Sequence, residues 1–149
     1  MVKNYTFEML GLVNEDMDPA MLNITELAAR MLEAPASFVS VLEHQKSRQY
    51  FSVCTGLPPE REVSRQTPIE HSICRYVQEA ERMVVIPDLL ADSRTMHNPL
   101  VHRYELRAYL GAPIHTVSGK VAGALCCMLG EIRHWTQGNR PVAIAAIGP

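Results

Sequence analysis

Apolar positions recur along this chain at two spacings, and the switches between them divide it into elements. Asp18 followed by Pro19 predicts a helix start, with the aspartate as cap and the proline at the first position. Met21, Ile24, Ala28 and Met31 then share one helical face, and the run should stop before Pro35. From Ser37 the period falls to two. Phe38-Val39-Ser40-Val41-Leu42 reads as a strand, and Gln49-Tyr50-Phe51-Ser52-Val53 as its partner across a polar turn. Residues 55–66 read as a charged loop carrying Pro58-Pro59. Thr67-Pro68-Ile69-Glu70 has the form of a capping box, and Ile69, Ile73, Tyr76, Val77 and Ala80 then line one face of a second helix. Met83-Val84-Val85-Ile86 is a short buried strand ended by Pro87-Asp88, and residues 89–105 are irregular with a helical turn or two. Residues 107–114 and 121–129 flank a Ser118-Gly119 turn and predict a hairpin. A last helix is expected to open at Trp135-Thr136, interrupted by Gly138, Pro141 and Gly148. This order implies an α+β architecture with a largely antiparallel sheet and helices packed on it.

Composition narrows the function classes. The 149 residues suffice for one domain with a substantial core. Hydrophobic residues make up 47% and charged residues 20%, which is the balance of a folded globular chain rather than a disordered one. A formal charge of −2 without basic clusters gives no footprint for nucleic acid. The longest apolar runs, residues 121–129 and 142–147, fall well short of the ~20 residues that a spanning helix needs, so no membrane partner is expected. The first residues lead into Glu8 without an apolar signal core, and a cytoplasmic location with four reduced thiols is expected.

Several segments, in their order and spacing, resemble GAF domains, in particular those of bacterial signalling proteins such as sensor histidine kinases and diguanylate cyclases. The resemblance runs from Ala29-Arg30-Met31-Leu32-Glu33-Ala34-Pro35 through Arg48-Gln49-Tyr50-Phe51, Gly56-Leu57 and His71-Ser72-Ile73-Cys74. It continues through Val84-Val85-Ile86-Pro87-Asp88, Ala91-Asp92-Ser93-Arg94 and Asn98-Pro99-Leu100-Val101. Its clearest part is Arg107-Ala108-Tyr109-Leu110-Gly111-Ala112-Pro113-Ile114, then Gly119, then Gly123-Ala124-Leu125-Cys126-Cys127. Where relatives often carry an Asp after the Leu-Cys strand, this chain has Leu129-Gly130. The resemblance implies a GAF-like, PAS-related sandwich spanning residues 18–136, with a curved sheet, helices on one face and a lidded pocket on the other. Residues 1–17 would then be an extension or helix, and 137–149 a weak helix or tail. It also implies a sensor of an unknown small molecule in a two-component or cyclic-dinucleotide system, coupled to an output domain or partner protein and able to form a homodimer. A dimerisation or interaction module with a vestigial pocket is the alternative, and a thiol enzyme such as free methionine sulfoxide reductase the third. The ligand does not follow from the fold.

Eight residues are candidates for the pocket: His71, Cys74, Asp88, Asp92, Asn98, Arg107, Tyr109 and Cys126. His71 and Cys74, three apart on the expected helix, could share a face. Asp88, Asp92 and Asn98 fall where the family places its lid, and Arg107 and Tyr109 project from the same side of their strand. Arg107 would either bind an anion or lock onto Asp88 or Asp92. Cys126 and Cys127 point to opposite faces, so at most one reaches the pocket. No catalytic constellation is recognisable: Cys74 is expected well inside its helix, away from the terminus that would activate it. No metal set is expected, because no CxxC pair or close His/Cys cluster occurs. The contexts that mark covalent bilin attachment and cyclic-nucleotide binding are also absent, and no cofactor is assigned.

Overall fold

The computed structural model describes residues 18–56 and 66–135. The extension 1–17, the centre of the charged loop, the closing helix from Thr136 and the tail lie outside the described residues. Helix α1 spans Pro19–Met31, and the Asp18 carboxylate accepts hydrogen bonds from the amides of Ala20 and Met21. Strands β1 (Ala36–Glu43) and β2 (Arg48–Thr55) are joined by a 3₁₀ turn. Then follow β3 (Gln66–Pro68), a second 3₁₀ turn (Ile69–His71), α2 (Cys74–Ala80), β4 (Val84–Ile86), α3 (Pro99–Arg103), β5 (Ala108–His115) and β6 (Val121–Leu129). The six strands form one sheet in the order β3-β2-β1-β6-β5-β4, and every pairing is antiparallel.

Two apolar layers use the alternation along the strands. On one face, Ala28 of α1 and Leu32, which caps its end, pack over Val39, Val53, Leu110, Leu125 and Cys127. On the other, Phe38, Phe51, Tyr109 and Cys126 meet Cys74 and Val77 of α2 together with Leu89 and Val101. Each fully buried large side chain in these layers contributes about 1.5–3 kcal/mol. The predicted strands all form, and the two faces of Cys126 and Cys127 separate as alternation requires. Pro113 lies where β5 runs beyond its three-residue partner β4, so its missing amide breaks no ladder on that side. Gly123 allows β6 to approach β1: a Cβ there would sit 1.8 Å from the Ser40 carbonyl oxygen.

Two sequence expectations are corrected. The second helix does not begin at Thr67. Residues 66–68 instead pair with β2, the Thr67 hydroxyl accepts a hydrogen bond from the Gln49 amide at 3.0 Å, and the α-helix starts only at Cys74. Strand pairing has overridden the local capping signal, as tertiary context commonly does. The inward stripe of α1 is also rotated from the one expected. Thr25, Ala28 and Leu32 are buried, with Met21 and Leu22 packed beside them, whereas Ile24 and Met31 face outward at 38% and 49% exposure. Thr25 can be buried because its hydroxyl donates to the Met21 carbonyl at 2.7 Å.

Candidate ligand-binding site

A cavity of about 210 Å³ opens on the α2 face of the sheet. Its floor is Phe38 of β1 with Gln49 and Phe51 of β2, and Met128 of β6 closes one side. Ala36, the first residue of β1, lies opposite Met128 in the ladder and places the mouth at this end of the sheet. Phe38 and Phe51 meet edge to face, ring centroids 5.0 Å apart. The cover comes from two segments: His71 and Ile73 before α2, and Leu100, Tyr104 and Leu106 on and after α3. No Lys, Arg, Asp or Glu lines the cavity among the described residues.

The polar groups of floor and cover are arranged by hydrogen bonds behind them. The Gln49 side chain donates to Thr67 and accepts from the Ser72 hydroxyl at 2.6 Å, so its amide is engaged at both ends. Asn98 caps α3 by accepting from the Leu100 amide, and its side-chain nitrogen donates to the His71 carbonyl at 3.0 Å. One residue thus ties the two halves of the cover together. His71 lies on the cavity wall, and its imidazole has no hydrogen-bond partner among the described residues.

Of the eight candidates, His71 lines this cavity, and Asn98 supports the cover through the His71 backbone. Cys74, Tyr109 and Cys126 lie together beneath it in the fully buried layer. The two Sγ atoms are 3.0 Å apart, and the Tyr109 hydroxyl lies 3.2 Å from Cys74 Sγ and 3.1 Å from Cys126 Sγ. Cys74 is the first residue of α2, a correction to the position expected inside the helix. Burial pushes the Cys126 thiol well up, reinforced by Cys74, and burial likewise pushes up the Tyr109 hydroxyl. Burial opposes the Cys74 thiolate too, yet hydrogen bonding from Cys126 and nearby hydroxyls outweighs it and brings that thiol below its ordinary value. The Ser40 hydroxyl contributes to this effect on Cys74 although it has no hydrogen bond of standard geometry. The sulfurs are within reach of one another, but neither is exposed.

Asp88 and Asp92 are committed to arginines. Arg107 grips Asp88 through contacts of 3.2–3.3 Å, and Arg94 binds Asp92 at 2.7 and 2.9 Å. These bonds hold both carboxyls below the usual carboxylate range. Asp88 also accepts from the Leu90 amide, while the Arg107 carbonyl accepts from Leu89. The pair therefore anchors the irregular segment to the sheet. Among the described residues no three His, Cys, Asp or Glu side chains converge as a metal site would require. No helix of the described residues is long and apolar enough to cross a membrane.

The search by polar residue type missed most of the lining. Phe38, Phe51, Ile73, Leu106 and Met128 are apolar and read in sequence as ordinary core. For Phe38, Phe51 and Met128 the available signal was their position on the α2-facing side of their strands.

A GAF domain model matches residues 16–143. A curated cyclic di-GMP phosphodiesterase of Pseudomonas aeruginosa is 33% identical over 127 residues, which is 85% of this chain and 20% of that protein. The chain thus spans about a fifth of the curated relative it matches. Among solved structures, the GAF domain of a phosphoenolpyruvate-protein phosphotransferase from Coxiella burnetii superposes with a TM-score of 0.72 at 16% identity, covering 95% of this chain and 84% of that one. A domain of a two-component sensor histidine kinase protein, described as putative, from Sinorhizobium meliloti gives 0.68 at 9% identity, covering 91% and 88%. At these identities the structural likeness carries the fold alone.

Proposed function

We propose that this chain, which belongs to the GAF domain family, is a cytoplasmic sensory domain of a bacterial signalling protein whose cavity binds a small molecule. The observation that supports this reading is the open cavity, with an apolar floor and a cover bridged by one side chain. Pockets that hold small molecules are commonly apolar with a few placed polar groups. A ligand filling it would contact both cover segments and favour the conformation in which Asn98 joins them. Because Met128 and Leu129 at the end of β6 line the same cavity, the bias would reach the chain leaving the sheet and an output domain in a two-component or cyclic-dinucleotide system. A ligand that met both conformations equally would relay nothing. The test is native mass spectrometry of the purified chain beside its denatured mass. Extra mass lost on denaturation is the expected result; a chain that is bare and binds no member of a metabolite library sinks the reading.

A second reading has its own observation. Ile24, Leu27 and Met31 form an outward apolar stripe on α1, exposed by 38%, 49% and 49%. Such a stripe fits pairing of two copies through α1, in the manner of helix-mediated dimers. Light scattering of the parent and of Leu27→Glu decides it: a dimer reduced to monomer supports pairing through α1, and a parent that is monomeric at all concentrations rejects it.

A further inference from the structure

We infer that the cavity takes a neutral, largely apolar molecule of one or two fused rings, hydrogen-bonded to the His71 imidazole, and excludes phosphate-bearing nucleotides. This rests on the sensing reading and narrows its ligand.

Size comes first. An engineered apolar cavity of about 150 Å³ is filled by benzene. Scaled to the 210 Å³ here, the occupant has on the order of eight or nine non-hydrogen atoms. A nucleotide is several times larger than benzene, and a cyclic dinucleotide larger again.

Charge points the same way. Among the described residues no lysine or arginine lines the cavity, and the guanidinium groups of Arg107 and Arg94 are held by Asp88 and Asp92. A phosphate entering the site would lose its water without gaining a charged partner among these lining residues, which burial penalises heavily.

The polar inventory then sets the ligand's functional group. Gln49 is engaged at both ends by Thr67 and Ser72, whereas the His71 ring has no partner among the described residues. A neutral imidazole offers one donor and one acceptor, so a ligand with one N–H or O–H group satisfies it. The edge-to-face Phe38–Phe51 pair on the floor presents ring surface against which a flat aromatic molecule packs.

The test is calorimetric titration of the whole chain with four probes: indole and 4-methylphenol as neutral rings, 3′,5′-cyclic AMP and cyclic di-GMP as anions. Indole and 4-methylphenol should bind with dissociation constants of about 1 mM or tighter, and the two anions should not. Ala36→Leu, which fills the cavity mouth, should abolish indole binding. His71→Leu should weaken it about three- to tenfold, the worth of one hydrogen bond. Nuclear Overhauser contacts from indole to the Phe38 and Phe51 rings locate the probe in the parent chain, whatever the folding of either variant. Anions that bind and are displaced by indole overturn this inference and leave the sensing reading intact. Indole that binds without contacts to these rings overturns it as well. Failure of all four probes to bind overturns the inference, and the sensing reading falls separately if native mass spectrometry and the metabolite library also find nothing.

Discussion

Replacing Gly111 by alanine should destabilise the chain through a single neighbour, Tyr109. The two residues are two apart on β5 and share a face, and the tyrosine ring lies over the glycine. A Cβ at position 111 would stand 2.3 Å from the Tyr109 hydroxyl oxygen, 2.7 Å from Cζ and 2.9 Å from Cε1. Ordinary contact needs a further ångström or so, and the ring cannot simply swing away. Its hydroxyl is placed between the Cys74 and Cys126 sulfurs, and the side chain is fully buried. Forcing an additional methyl into a packed core costs about 1–3 kcal/mol. Removing glycine's freedom from the unfolded chain returns about 0.4–1 kcal/mol. The net expectation is a loss of about 1–2 kcal/mol. All three offending atoms are absent from leucine, so in a Tyr109→Leu background the same Gly111→Ala change should be neutral or slightly stabilising. The double-mutant cycle should therefore show a coupling of about 1–3 kcal/mol. Urea denaturation followed by fluorescence reads it, since Trp135 is the single tryptophan and is buried on the α1 face. Equal costs of Gly111→Ala in both backgrounds would refute the reasoning.

Three further outcomes follow from the same geometry. Asp88 and Asp92 have depressed carboxyl pKa values when folded, so their contribution to stability is complete above the ordinary value of about 3.9 and is lost as pH falls through the folded values. The double variant Asp88→Asn/Asp92→Asn should be less stable than the parent at neutral pH and converge with it in strong acid, as measured by urea midpoints across pH. Asp18→Ala removes the α1 cap and should cost about 1 kcal/mol by the same denaturation; no change would mean that the two amides find water equally well. All four cysteines are buried, so an aromatic disulfide reagent should titrate none of them rapidly in the native chain and four in urea, and a fast native thiol would contradict the packing around Cys74 and Cys126.

How far the fold could be read from the residues differed by element. The β5–β6 hairpin was legible because alternation, Gly123 and the Ser118-Gly119 turn all agree with the final pairing. Helix α2 was misplaced because Thr67-Pro68-Ile69-Glu70 is a sound local cap signal. What defeats it is the edge of β2, which offers Gln49 as a partner for Thr67, and a local reading contains no such edge. The face of α1 was ambiguous because the helix carries two apolar stripes, and only packing selects Thr25 and Ala28 over Ile24 and Met31. The cavity was the least legible feature. Polar residues attract attention in a sequence, yet Asp88 and Asp92 proved to be held by arginines, and Tyr109 and Cys126 to be core. The emptiness between Phe38, Phe51 and Met128 is a property of the assembled sheet and cover and leaves no mark in any one segment.

The central claim is that an occupant of the cavity acts on its two-part cover. Hydrogen–deuterium exchange with and without saturating indole tests it most directly. Slowed exchange in residues 71–80 and 98–106, with α1 unchanged, is the predicted result. Indole that is bound at Phe38 and Phe51 while exchange in both cover segments stays the same would contradict it.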